Sequence, residues 1–333
     1  MEIRSHDESD GRMRISTIYL GGGTPSQLTS GQLRQLFHTI YNIYNVDSDA
    51  EITMECNPDD VDGEMSLVLA DLPVNRVSMG AQTFSDERLR FIGRRHSARQ
   101  VTQSVERLMR AGIGNISVDL MYGFPDERQE DWHHDIDMAL ALGVEHLSAY
   151  ALTYEEGTPL WRMLEEGKVK ELDEELQRQM YYDLKDRAEE AGYEHYEISN
   201  FARPGRRSRH NSSYWNYTPY IGLGAGAHSF DGEHRRWNVS DLEEYMKAIG
   251  EGRVPAEGEY LDDDTRYNEM VMTRLRTREG LDIDALMEKH REYCLRQAAA
   301  YTATGLLHQE GHRLSLTREG LFVSDMVMSD LMI

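Results

Sequence analysis

The feature that most narrows the fold is a strand-then-helix rhythm running through the first half of the chain. Thr17-Ile18-Tyr19-Leu20 is a short β run that stops at Gly21-Gly22-Gly23. Leu33, Leu36, Phe37, Ile40, Ile43 and Tyr44 then recur at helical spacing, with Thr29 and Ser30 available as N-cap. The same alternation predicts strands over 51–56, 76–82, 115–121 and 145–152. Helices are expected near 63–70, 97–111 and 129–142, the last two closing at Gly112 and Gly143. No Asn-Gly-type hairpin signal separates successive strands. Alternation of this kind calls for a parallel sheet covered by helices, as a barrel or a doubly wound sheet.

Beyond about residue 158 the rhythm ends. A charged helix is expected over 173–191, followed by an aromatic and glycine-rich stretch, 193–230, with no clean period. From about residue 262 the pattern reads as three helices and a short hairpin at 311–316, a winged-helix-like appendage. The expected division is 1–158, 159–261 and 262–333.

Side-chain alternation locates the chemistry. In the strand 51–56, Ile52, Met54 and Cys56 share one face and Glu55 takes the other; in 115–121, Asp119 opposes Ile116, Val118 and Leu120. In 76–82, Gln82 and Ser78 oppose Val77, Met79 and Ala81. The apolar faces meet the helices, so Glu55, Gln82 and Asp119 converge inside, near the C-terminal strand ends where parallel barrels build their sites. The plainer reading is of separate strand-end residues wetted by solvent. Gly21-Gly22-Gly23-Thr24-Pro25 completes the rim. It is neither a P-loop nor a dinucleotide fingerprint, and beside carboxylates it suits a zwitterion bearing an amino group and hydroxyls.

Net charge of −23 repels phosphate backbones and argues against nucleic acid as a partner, and against a DNA-binding role for the winged-helix-like segment. Arg203–His210 is a local basic loop, either solvated or a contact for an anion such as a propionate. The start of the chain is polar and acidic, unlike a signal peptide, and no run approaches the ~20 apolar residues of a membrane span, so a cytoplasmic protein is expected. Only two cysteines occur, Cys56 and Cys294, too far apart in sequence for a disulfide framework or a closely spaced cluster motif.

Several strings together resemble one family. These are Tyr19-Leu20-Gly21-Gly22-Gly23-Thr24-Pro25-Ser26, Ile52-Thr53-Met54-Glu55-Cys56-Asn57-Pro58, Ser78-Met79-Gly80-Ala81-Gln82-Thr83-Phe84, Gly93-Arg94-Arg95-His96 and Asp119-Leu120-Met121-Tyr122-Gly123-Phe124-Pro125. In this order they resemble the radical S-adenosylmethionine (SAM) family of oxygen-independent coproporphyrinogen III oxidases and their heme-chaperone relatives. The resemblance implies a partial β/α barrel with a SAM site. Gly22, Gly23 and Thr24 would meet the methionyl amino end, and Glu55, Gln82, Arg94 and Asp119 the ribose and carboxylate. Arg94 follows only from the resemblance; periodicity alone makes it a surface helix-capping cation.

His210-Asn211-Ser212-Ser213-Tyr214-Trp215 resembles the His-Asn-x-x-Tyr-Trp signature of the heme-chaperone branch, as do Tyr196–Ala202 and Gly222–Ser229. An imidazole can ligate heme iron and aromatic neighbours can stack on the macrocycle, which makes His210, Asn211, Tyr214 and Trp215 heme candidates, with His228 a second choice. The alternative for each histidine is a hydrogen-bonded turn residue. His133-His134 point to different faces of a predicted helix and receive no ligand role.

Members of this family open with a first strand and a Cys-x3-Cys-x2-Cys loop holding a [4Fe–4S] cluster. No such loop stands here, Cys56 faces the helices and Cys294 falls on a C-terminal helix. The expectation is therefore a barrel without its first strand, unable to assemble the cluster, starting inside a longer reading frame or derived from a cluster-free paralogue. The functional expectation is a heme-trafficking protein with a SAM pocket, delivering heme to an unidentified acceptor protein. The alternatives are an oxygen-independent coproporphyrinogen III oxidase and an α/β-barrel enzyme using Glu55 and Asp119 as acid and base.

Overall fold

The computed structural model describes residue 2 and residues 13–333; of the acidic N-terminal stretch, all but Glu2 lies outside the described residues. The chain forms two compact units, each assembled from separated stretches: residues 17–34 with 51–207, and residues 1–16 with 35–50 and 208–333.

The first unit is organised by a seven-stranded sheet. In chain order the elements begin with β1 (Arg14–Leu20), α1 (Ser30–Ile43), β2 (Asn45–Cys56), α2 (Gly63–Asp71), β3 (Arg76–Gln82), α3 (Asp86–Phe91), α4 (Ala98–Arg110), β4 (Asn115–Tyr122) and α5 (Gln129–Ala141), of which residues 14–16 and 35–50 are assigned to the second unit. There follow β5 (His146–Ala151), α6 (Pro159–Glu165), α7 (Glu174–Glu190), β6 (Glu194–Glu197) and β7 (Asn200–Ala202). Strand order is β1-β2-β3-β4-β5-β7-β6. β2 through β5 pair in parallel, so the expected parallel β/α half-barrel is present. The sheet ends differently: β7 pairs antiparallel with both β5 and β6. Strands of four and three residues are too short to show a period, which is why 193–202 reads as irregular in the sequence.

The helices form where caps and stripes agree. In α4 a Ser97/Gln100 capping box opens the helix, Val101, Ser104, Val105 and Leu108 bury one stripe, and Gly112 at φ +92° ends it. α5 sends Trp132 into the core, fully buried, with its Nε1 donating to the Met180 carbonyl of α7 at 2.8 Å.

Burial follows the alternation. Ile52, Met54, Val77, Met79, Ile116, Val118 and Leu147 are sealed on one face of the sheet. The other face carries Thr53, Glu55, Arg76, Ser78, Ser117, Asp119, His146 and Ser148. A closed barrel fills its interior with branched apolar side chains; this polar face marks a site instead.

The second unit holds α8 (Arg209–Trp215), β8 (His228–Phe230), β9 (His234–Asn238), α9 (Leu242–Gly250) and β10 (Ala256–Tyr260). The glycine-rich loop before β8 is tied down by the Glu2 carboxylate, which accepts from Gly224 N–H at 2.9 Å and Asn238 Nδ2 at 2.6 Å, and from the Tyr245 hydroxyl. α10 (Asp263–Arg274), β11 (Leu281–Asp282), α11 (Glu288–Ala303), β12 (Leu307–Glu310), β13 (Arg313–Leu316), α12 (Arg318–Phe322) and α13 (Ser324–Leu331) follow. β11, β13 and β12 make a three-stranded antiparallel sheet, so the expected hairpin gains a third strand of two residues.

Candidate functional site

At the C-terminal ends of β1 to β4 an open cleft of about 220 Å³ is lined by Gly23, Thr24, Pro25, Glu55, Cys56, Asn57, Ser78, Gly80, Gln82, Arg94 and Asp119. Glu55 is pre-set on the rim: its Oε1 accepts from the Tyr19 hydroxyl at 2.7 Å and its Oε2 from Gly22 N–H at 3.2 Å. Burial, with Glu55 alongside, pushes the Tyr19 phenol far up, so it remains a donor. Gly21 permits this approach. A Cβ there would lie 2.5 Å from the Tyr19 ring and 2.9 Å from Glu55 Oε1. Gly22 and Gly23 take the left-handed backbone at φ +73° and +68°.

Gln82 is aimed by a β-bulge. The β3–β4 register shifts between Gly80 and Gln82, and Gln82 adopts φ +66°, uncommon for a side-chain-bearing residue. Its amide lies over Gly80, where a Cβ would meet Gln82 Nε2 at 2.9 Å. Arg94 follows Gly93 at the end of α3 and donates to Asn57 Oδ1 at 3.3 Å, so it is a cleft residue and not a surface cap. Asp119 accepts from Ser78 Oγ at 3.1 Å. Dense packing pushes its pKa up although it opens on the cleft, while Arg76 and the Ser78 and Ser148 hydroxyls pull it back. Deeper in, Ser117 Oγ, His146 and the Tyr196 hydroxyl form a buried chain with links of 2.8 and 2.7 Å. Burial holds His146 well below its ordinary pKa, hence neutral.

The cleft therefore gathers Gly23, Thr24, Glu55, Gln82, Arg94 and Asp119, with Gly22 holding Glu55 from behind. Pro25 lies where the rim reading puts it, whereas Asn57 was not legible as lining. Asn57-Pro58 reads only as a strand end, and its contact with Arg94 spans 37 residues. Ser78 shares the inner face with Gln82 and was visible in the alternation.

In the second unit the buried Ser208 caps α8, its Oγ accepting from Asn211 N–H. His210 and Tyr214 meet one turn apart, ring centroids 5.2 Å and edge to face, with His210 Nε2 and the Tyr214 hydroxyl 3.1 Å apart. Tyr214 also packs edge to face on Tyr220 at 4.8 Å and stays 40% exposed. Asn211 and Trp215 stand one step further round the helix. His228 is exposed, its ring 6.2 Å from that of Trp237. The basic loop is internally engaged: Arg203 lies 4.5 Å over the Tyr193 ring, Arg207 bonds Glu194, and Arg209 bonds the Asp49 carbonyl. His133 is held by Asp183.

A half-barrel whose polar inner face ends in a glycine rim, two carboxylates, an amide and a guanidinium is a site of radical SAM type. The Radical SAM superfamily model matches residues 7–139 and the HemN C-terminal domain model residues 261–323. Heme chaperone HemW of Bacillus subtilis is 34% identical over 95% of this chain and 85% of its own length; HemW of Mycobacterium tuberculosis is 34% identical over 96% and 81%. The mitochondrial radical S-adenosyl methionine domain-containing protein 1 of Bos taurus is 31% identical over 97% and 76%. Coproporphyrinogen III oxidase (HemN) from Escherichia coli, a radical SAM enzyme, shares the fold with a TM-score of 0.81 at 20% identity, over 96% of this chain and 78% of its own. The chain belongs to the HemW-type heme chaperone family of the radical SAM superfamily.

Proposed function

We propose that this chain is a heme-trafficking protein that binds heme at α8 and SAM in the half-barrel cleft. The observation that carries the heme reading is the His210–Tyr214 pair. It offers an imidazole with a hydrogen-bonded phenol beside an exposed aromatic face. An imidazole held in this way is suited to an iron ligand, and Tyr214 and Trp215 to contact with the macrocycle. Asn211 and His228 are secondary candidates.

The cleft's donor set suits SAM. Glu55, Asp119 and Gln82 provide acceptors for an amino group and ribose hydroxyls, Arg94 a cation for a carboxylate, and Gly22, Gly23 and Thr24 a backbone edge. Bound SAM supplies a sulfonium beside these groups. The residues present do not fit a [4Fe–4S] cluster. Three thiolates are needed, and this chain has two cysteines, both buried, in different units. Burial pushes the Cys56 thiol up to about 12, which disfavours the thiolate a metal requires. A coproporphyrinogen oxidase reaction by this chain alone is disfavoured on the same ground.

The reading includes an acceptor protein for heme, no nucleic-acid partner, and a cytoplasmic location suited to unpaired cysteines. No helix among the described residues is long and apolar enough to cross a membrane. In this reading the chain is organised in three parts, 1–158, 159–261 and 262–333, with heme held in the second. A heme titration followed by the Soret band tests it. The wild-type chain is expected to saturate, and His210→Ala to bind at least about tenfold more weakly, near 1.4 kcal/mol. A Soret response unchanged by His210→Ala rejects the assignment.

A further inference from the structure

Beneath the cleft lies a second polar row. Thr53, Arg76 and Asn115 stand side by side in register on β2, β3 and β4. Period two puts them on the inner face with Glu55, Ser78 and Asp119, one row nearer the strand starts than the Glu55–Ser78 row. Thr53 and Arg76 are sealed at 0% and 1% exposure. In each of the three one polar atom lacks a partner: Thr53 Oγ1, Arg76 Nε and Asn115 Oδ1. Arg76 also forms no ion pair among the described residues.

A buried guanidinium without a bonded anion is expensive, by several kcal/mol per ion. An arginine serving only to lock the fold would spend its donors on nearby carbonyls or carboxylates. Arg76 leaves Nε unused, on the same inner face of the sheet that carries Glu55 and Asp119. We propose that Arg76 is a positioning residue of this cleft, the buried cation that keeps Asp119 ionised and able to accept from a ligand hydroxyl. The last clause rests on the SAM reading; the charge coupling does not.

The groups facing Asp119 are Tyr19 from β1, Glu55 from β2, Arg76 and Ser78 from β3, Ser117 on its own strand, His146 and Ser148 from β5, and Arg94 across the cleft. Burial raises the Asp119 pKa most and Glu55 adds to it; Arg76 is the largest opposing influence, ahead of the Ser78 and Ser148 hydroxyls. His146 is neutral and adds no charge. Removing Arg76 must therefore raise the pKa and protonate Asp119 at higher pH.

The test is a carboxyl-carbon NMR titration of ligand-free protein labelled at aspartate Cγ, with Asp119→Asn assigning the resonance. Arg76→Met is expected to raise the Asp119 midpoint by about one pH unit or more, while Arg76→Lys leaves most of the wild-type value. A folded Arg76→Met or Arg76→Gln with an unmoved midpoint overturns the proposal. If neither neutral variant folds, the wild-type midpoint decides, and one at or above about pH 7 overturns it. Calorimetry with SAM, run across pH on the same proteins, separates the two readings. A coupled midpoint without SAM binding removes the SAM reading alone; SAM binding with an uncoupled midpoint removes only the role of Arg76.

Discussion

Glu55 is fixed before any ligand arrives, by a phenol on one oxygen and a backbone N–H on the other. Gly21 is the residue that lets the three groups meet. Gly21→Ala is expected to lower SAM affinity at least about tenfold, roughly 1.4 kcal/mol, by driving the Tyr19 ring and the Glu55 carboxylate apart. Calorimetry checks this, and a melting temperature close to wild type would show that the loss is local. At this scale strand alternation revealed Glu55, Gln82 and Asp119, because strand geometry fixes which face a side chain takes. It could not reveal Arg94 or Asn57, which are placed by a helix end and a strand-end loop with no period to read. The bulge that aims Gln82 was equally hidden, since it is a shift of register against β4 and breaks the alternation that a single strand shows.

At the scale of elements, the loop from β4 to α5 stores a pH-sensitive group. Glu127 accepts from Gly123 and Phe124 N–H, yet burial dominates over these bonds and Arg88 and raises its pKa to about 7. A carboxyl raised on folding binds its proton more tightly in the native state. Its stabilising contribution is therefore complete below the unfolded value near 4.5 and fades as pH rises through about 7. Glu127→Gln should flatten that decline in urea-melt stability between those limits; an unchanged slope would contradict it. Trp132 fastens α5 to α7, and Trp132→Ala is expected to cost about 3–5 kcal/mol in the same melts. Long elements such as α4 and β3 were legible because caps, stripe and alternation agree. The short strands β7 and β11 owe their existence to partners elsewhere in the chain, and β6 depends on β7, which a local pattern does not show.

At the scale of the whole molecule, the two units draw on stretches scattered along the chain, an arrangement that no composition shift marks. The half-barrel itself was legible, since repeated β/α units have few ways to fold. The cysteine count bears on the chain's chemistry as a whole. Anaerobic reconstitution with iron and sulfide is expected to leave no stable cluster absorbance on this chain; a stable cluster would show that the two buried thiols have been misread. The central claim is that the molecule carries heme and gives it up. It is tested most directly by loading the chain with heme, mixing it with an apo-globin, and following the holo-globin Soret band. Heme is expected to pass to the globin, with less heme loaded and delivered by His210→Ala. A chain that takes up no heme, or one that keeps it while the globin stays apo, would contradict the account.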